Sequence, residues 1–160
     1  MIVEQATSSE LIWQCVTFDE LDIRTLYDLL ALRMSVFVVE QNCPYQELDG
    51  KDQQSWHMLG YRHGQLVATA RILGPGASYA GAASIGRVVS APSERGTGIG
   101  QALMAESVQA CAKLFPDHPI RIGAQAHLDA FYGRFGFVAS SATYLEDGIP
   151  HIEMTRPAGA

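Results

Sequence analysis

The chain has 160 residues, 48% of them hydrophobic and 18% charged, a length that suits one domain with its own core. A formal net charge of −6 excludes the basic footprint of a nucleic-acid binder and favours cationic partners. Cys15, Cys43 and Cys111 are widely spaced with no CxxC pair, and no apolar run approaches the roughly 20 residues of a bilayer span; with no signal-peptide pattern at the N-terminus, the expectation is a soluble cytoplasmic protein without membrane contact.

Leu11 to Thr17 reads as a first strand. Asp22 is placed to cap a helix whose apolar stripe runs Ile23, Leu26, Leu30, Met34 and Phe37. Pro44 and Gly50 break the pattern that follows, so Val39 to Asp52 is expected to be an irregular loop. Trp56 to Leu73 reads as a hairpin turning near His63 and Gly64, Gly74 to Ala82 as a loop, and Ser84 to Ser90 as a short β-branched strand.

A helix is expected from about Gly98 to Phe115, with Leu103, Met104, Val108, Cys111, Leu114 and Phe115 on its apolar side. Ile120 to Gln125 is a further strand, and Leu128 to Phe135 a short helix stopped by Gly136. "FVASS" and "HIEMTR" close the chain as strands, with "EDGIP" as the turn before the last. This order mixes antiparallel hairpins with parallel crossovers, an α/β (α+β) arrangement with a central mixed sheet and helices on its faces.

The most informative stretch is "SERGTGIGQALM", Ser93 to Met104, which sets Gly96, Gly98 and Gly100 on alternate positions between a strand and a helix. Glycines there leave successive N–H groups open to an anion, and the helix start adds unpaired N–H groups and the positive end of its dipole. Arg95 adds a charged donor. The P-loop fails, because Gln101 and Ala102 stand where it needs Lys and Ser or Thr; the dinucleotide fingerprint fails, because Gln101 replaces its third glycine. A tight strand-to-helix turn without a ligand is the plainer alternative.

Arg95, Gly98 and Gly100 match the Arg/Gln-x-x-Gly-x-Gly/Ala signature of the GNAT acyltransferases, and "FYGRFGF", Phe131 to Phe137, is similar to that family's aromatic-Tyr-x-x-x-Gly-Phe element. "FVVEQNCPYQELDG", "IGAQAHL" and "EDGIPHIEM" resemble its ElaA-like branch. The resemblance runs from about Leu11 to Arg156 and implies a single acyl-CoA N-acyltransferase domain over residues 1–160. It implies acetyl-CoA, or another acyl-CoA, as donor, with pyrophosphate on the N–H groups of Arg95, Gly96, Thr97, Gly98, Ile99 and Gly100 and pantetheine along Val88 and Val89. Tyr132 takes the family position of the acid that protonates the departing thiolate. Gln125 stands where the family often has Asn, and Leu128 where it often has Ala.

The general base is not legible; Glu40, Glu47, Asp49, Asp52, His57 and His151 are all candidates. No metal-ligand spacing is present. The acidic loop with Glu40, Glu47 and Asp49 is expected to wall the site of the amine acceptor, a small molecule or a protein amino group. Arg71 and Arg87 are expected to pair with Glu40 or Asp49 and hold that loop, in preference to binding a substrate carboxylate. A non-catalytic CoA sensor and a phosphate-binding module unrelated to CoA are the rival classes, and homodimerisation stays open.

Overall fold

A computed structural model of the chain describes residues 10–160. The described chain divides into two compact units: one ends at Arg71 and resumes over Arg87–Ser107, the other comprises Ile72–Gly86 and Val108–Ala160. The first holds β1 (Ile12–Thr17), α1 (Ile23–Met34), β2 (Trp56–Arg62), most of β3 (Gln65–Leu73), the end of β4 (Ser84–Ser90) and the start of α2 (Ile99–Leu114). Its sheet runs in the order β1-β2-β3-β4. The second holds β5 (Ile120–Gln125), α3 (Asp129–Gly133), β6 (Val138–Ala139), β7 (Tyr144–Glu146) and β8 (Ile149–Arg156). There β8 is the hub, pairing antiparallel with β5, β6 and β7. A parallel bridge between Ala83 and Ile120 supplies the crossover element of the mixture.

Asp22 caps α1 as expected, its Oδ1 accepting from the Thr25 N–H at 2.7 Å. The face that α1 buries is turned from the expected stripe, of which Leu26, Leu30 and Phe37 stay half-buried while the helix ends do not. Ile23 is 86% exposed and Met34 38% exposed, whereas Leu29, Leu32 and Arg33 are buried, with Val36 just beyond the helix. At 100° per residue the buried arc lies about 100° round from the expected stripe. The helix carries apolar residues on both sides, so periodicity alone does not choose between them. Leu32 and Val36 pack on Val89 of β4, and Arg33 is drawn to buried carboxylates.

Beyond Met34 the helix does not stop but widens. Gln41 N–H reaches Val36 O at 3.2 Å and Cys43 N–H reaches Val38 O at 3.1 Å, the i to i+5 pattern of a π-turn over Ser35–Glu40. The loop expected from Val39 therefore starts after Glu40.

The β2–β3 hairpin turns at His63 (φ 53°) and Gly64 (φ 75°), the two left-handed residues of a type I′ turn. Asp147 (φ 51°) and Gly148 (φ 77°) make a second one between β7 and β8. A two-residue turn needs a strand directly on each side. That is why β7, where no strand was expected, forms before Asp147, and why the last strand starts at Ile149 and not at His151. The "FVASS" strand shrinks to Val138–Ala139.

Trp13 and Gly60 are directly opposed in the β1–β2 register, and the indole covers the glycine so closely that a Cβ there would lie 2.4 Å from a ring carbon. Gly60→Ala must push the ring off its strand. We expect a loss of about 1–3 kcal/mol in denaturant unfolding, the usual cost of overpacking, and Trp13→Ala in the same chain should remove the clash penalty.

Candidate functional site

After β4, a tight turn over Pro92–Glu94 leads through the glycine run into α2. Gly96 (φ 81°) and Gly98 (φ 82°) are left-handed, a conformation in which any side chain is strained. A Cβ at Gly96, Gly98 or Gly100 would meet nothing within 4 Å, so the glycines leave an open face. Glu94 is buried and receives the Arg62 Nε at 2.9 Å, tying the turn to β2.

The backbone accounting narrows the expected seat. Arg95 N–H donates to Pro92 O at 3.2 Å, and Thr97 N–H to Glu94 O at 3.2 Å, with the Thr97 hydroxyl on the same carbonyl at 2.6 Å. Those two N–H groups are used internally, contrary to the expectation for Arg95 and Thr97. The first helical bond runs from Ala102 N–H to Gly98 O. Gly98, Ile99, Gly100 and Gln101 therefore precede the helical ladder and have no carbonyl four residues back to accept from them. With Gly96 they are the N–H groups of this run that make no internal bond among the described residues.

The Arg95 side chain donates to Glu40 Oε1 at 2.5 Å. Glu40 thus pairs with the arginine of the glycine run, not with Arg71 or Arg87 as expected. The π-turn carries Glu40 to the end of a helical segment facing Arg95, which no local sequence signal announces.

β4 is the last strand of its sheet, so its outer edge has no strand partner within that sheet. Val89 is buried against Leu32 and Val36, while Val88 is half-buried. Between Gly86 and Val88, Arg87 has φ 46°, a left-handed residue inside a strand. Such a conformation costs on the order of 1–3 kcal/mol and persists only where its surroundings hold it.

Those surroundings are a cluster of three arginines and three carboxylates. Arg33, on α1, is 1% exposed; its Nε and Nη2 donate to Glu47 Oε2 at 3.0 and 2.6 Å, and its Nη1 to Asp52 Oδ1 at 2.7 Å. Arg71, on β3, grips Asp49 with both terminal nitrogens at 2.8 and 2.5 Å and reaches Asp52 at 3.2 Å. Arg87 donates from Nε to Glu47 Oε2 at 2.5 Å and from Nη2 to the Glu47 carbonyl at 3.0 Å, while its guanidinium lies 5.8 Å over the Tyr45 ring. Arg71 holds the loop through Asp49, as expected; Arg87 holds it mainly through Glu47.

The three arginines offset the three carboxylates, so the negative surplus that made Glu47 and Asp49 candidates for attracting an amine is absent within the cluster. Glu47 is 2% exposed; its Oε2 takes all three donors, and its Oε1 is buried without a protein partner among the described residues. The hydrogen bond from Arg71 holds the Asp49 carboxyl far below the ordinary carboxylate range. Burial alone would raise Asp52, but its hydrogen bonds and charge contacts with Arg33 and Arg71 outweigh that and lower it. Burial depresses His57, whose Nε2 lies 2.9 Å from Asp52 O and whose ring packs on Phe18, so it is a core histidine. Arg33 went unrecognised in the sequence. Its signal was a lone arginine among Leu29, Leu32 and Val36, followed by a loop with more acids than bases.

In the second unit, Tyr132 sits on α3 with its ring edge-on to Phe131 (5.2 Å) and Phe137 (6.2 Å). Gly136 (φ 88°) ends that turn and lets Phe137 fold back into the core. Burial raises the Tyr132 phenol above its ordinary value, and no hydrogen bond or charge opposes it. The hydroxyl is therefore protonated near neutral pH. Gln125 closes β5 opposite His151. Among the described residues, no three potential metal ligands come together.

Two measurements check the cluster. Asp49 and Asp52 have folded-state pKa values below their unfolded ones, so their stabilisation is complete above about pH 4 and falls away as pH drops further. Asp49→Asn should flatten that acid loss of stability in urea titrations. Second, Arg87→Ala keeps the left-handed backbone without its anchor, whereas Arg87→Gly relieves it. We expect the alanine variant to be the less stable by about 1 kcal/mol, reversing the usual order of these residues in strands.

The acetyltransferase (GNAT) domain family matches residues 27–157. Protein ElaA of Escherichia coli is 47% identical over 146 residues, covering 90% of this chain and 95% of its own. The crystal structure of an acyl-CoA N-acyltransferase from Pseudomonas aeruginosa superposes with TM-score 0.87 at 50% identity, covering 92% of this chain and 99% of that one. The crystal structure of Escherichia coli ElaA gives 0.86 at 46% identity, with the same coverage. With its glycine run, its aromatic-Tyr element and these likenesses, the chain belongs to the GNAT acetyltransferase family, in its ElaA-like branch.

Proposed function

We propose that the protein transfers an acyl group, acetyl in the first instance, from acyl-CoA to an amine. The observation that carries this reading is the glycine run: two left-handed glycines and three open faces lead from the terminal strand of its sheet into a helix start. Pyrophosphate fits the N–H groups of Gly96, Gly98, Ile99 and Gly100, where helix dipole and donors act together. Arg95 approaches a phosphate either shared with Glu40 or released from it. The β4 edge at Val88 and Val89 offers its backbone to the amides of pantetheine, as strand addition does for a peptide.

The amine nitrogen attacks the thioester carbonyl carbon, and a tetrahedral oxyanion forms. Backbone N–H groups of β4 stabilise that charge. The C–S bond then breaks, the amine proton passes to solvent, and the sulfur takes a proton from the Tyr132 hydroxyl, which burial keeps protonated. Glu47 and Asp49 act in this reading by holding Arg87 and so the shape of β4. Of the three acidic loop candidates, Glu40 has the most exposed carboxylate. The acceptor is a small-molecule or protein amine. No described helix is long and apolar enough to cross a membrane.

Acetyl-CoA at 100 times its dissociation constant should stabilise the protein by about 2.7 kcal/mol in thermal melts. Gly98→Asp or Gly100→Asp should remove that shift, by setting a carboxylate where phosphate sits; equal shifts in all three proteins would refute the seat. Tyr132→Phe should leave acetyl-CoA affinity intact and lower kcat by roughly 10²-fold. Wild-type turnover in that variant would reduce Tyr132 to packing.

A further inference from the structure

The second unit carries a cluster that the reading above does not use. On β5, Gly123 is exposed, and a Cβ built on it would lie 3.1 Å from the Tyr144 hydroxyl and 3.5 Å from the Tyr79 hydroxyl. Two phenols, one from the loop before β4 and one from β7, thus converge over the single position of β5 that has no side chain. Glu153 is directly opposite Gly123 in the β5–β8 register, and Gln125 is opposite His151, which is in turn opposite Tyr144. Opposed residues share a face of a sheet, so Glu153, His151 and Tyr144 stand on the Gly123 side.

The rings are held while the hydroxyls are left open. Tyr144 stacks on His151 at 6.0 Å, and His151 is fixed by Ile149 O at 2.8 Å and by Glu146 at 3.3 Å. Tyr79 lies under the Arg121 guanidinium at 5.7 Å. Arg121 also meets Thr155 Oγ1 at 3.3 Å and Glu153 at 3.4 Å. Neither phenol oxygen has a hydrogen-bond partner among the described residues. Burial raises both phenols, and carboxylates raise them further: chiefly Glu153 for Tyr79, and Glu146 with Glu153 for Tyr144. Around the two phenols stand two carboxylates, Glu153 and Glu146, against the single guanidinium of Arg121, so negative charge is in surplus and the local field is negative. A carboxylate ligand would meet that field as a repulsion; a cation would not.

We propose that this face seats the ammonium group of a primary alkylamine, with the Tyr79 and Tyr144 oxygens and the Glu153 carboxylate as its three acceptors. An ammonium carries three donors and no acceptor, which matches three oxygens around an open floor. Its alkyl chain lies on the Tyr144 ring and on Ile149, which is exposed on the same face. Glycine at 123 is required because a methyl there would fill the seat. That this amine is the acyl acceptor rests on the acyltransferase reading; that it binds does not.

The probe is hexylamine at pH 7.5, titrated calorimetrically without acyl-CoA, with hexanoate and hexanol as charge controls. Saturable binding of hexylamine, at least tenfold tighter than either control, is expected. Tyr79→Phe/Tyr144→Phe and Glu153→Gln should each weaken it about tenfold, the scale of a lost charge-assisted hydrogen bond, and Gly123→Ala should do the same by occlusion. The phenol variants keep both rings, so they report binding even if Gly123→Ala fails to fold. No saturable binding, hexanoate as tight as hexylamine, or unchanged affinity in the phenol variants would each overturn the seat. With acetyl-CoA present, the phenol variants should raise the hexylamine KM while acetyl-CoA affinity is unchanged. Turnover with an unaltered KM would sink the seat as the acceptor site and leave the acyltransferase standing. Binding weakened as expected but without transfer from acetyl-CoA to any of a panel of amines, hexylamine included, would keep the seat and sink the acyltransferase.

Discussion

The ion cluster built around Arg33 is the constraint on which the first unit depends. A guanidinium almost wholly removed from water is tolerable only if its charge is met and its donors are satisfied, and Glu47 and Asp52 do both. Meeting them fixes the rotation of α1, draws the loop after Glu40 across the sheet, and brings Glu47 to Arg87. Removing one member leaves a buried uncompensated charge, a cost of about 3–5 kcal/mol for pairs of this kind. A well-packed apolar trio of the same shape would hold the same elements together without that hazard. What apolar groups would not do is grip a backbone residue in a left-handed conformation from the side, as Glu47 grips Arg87 through both its carboxylate and its carbonyl.

That grip connects stability to chemistry. A strand with a left-handed residue in its middle cannot continue a regular ladder, and β4 is already the terminal strand of its sheet. The backbone of β4 around Val88 and Val89 therefore takes its shape from a loop distant in sequence. The acidic residues that composition suggested as a lure for amines act as structural counter-ions. A cluster with three charges of each sign has little long-range field.

The glycine run works by the opposite principle. Its backbone is shaped mainly by its own turn, with the Arg95 and Thr97 N–H groups consumed there and outside contacts made through the side chains of Glu94 and Arg95. Glycine permits the positive φ values at 96 and 98, and the absence of Cβ atoms keeps the approach clear. Ile99, buried at the start of α2, keeps the helix end from fraying away from that turn. Glu40, on Arg95, joins this otherwise self-contained loop to the end of the π-turn.

The sequence by itself determined what local stereochemistry controls. His63-Gly64 turns β2 into β3, Asp22 starts α1, Gly136 stops α3, and Gly96 to Gly100 opens α2; each rests on a φ value or a cap that a few adjacent residues specify. The GNAT family was legible for the same reason, since its two motifs are short and contiguous. Tertiary structure decided what depends on partners far along the chain. Which face α1 buries follows from carboxylates beyond the loop, not from the helix's own period. Whether Glu40 meets Arg71, Arg87 or Arg95 depends on a π-turn whose wider bonds are set by packing on Val89. The convergence of Tyr79 and Tyr144 over Gly123 needs a strand register that no single segment carries. Charge pairing and register act between segments, and a sequence read in windows contains only the segments.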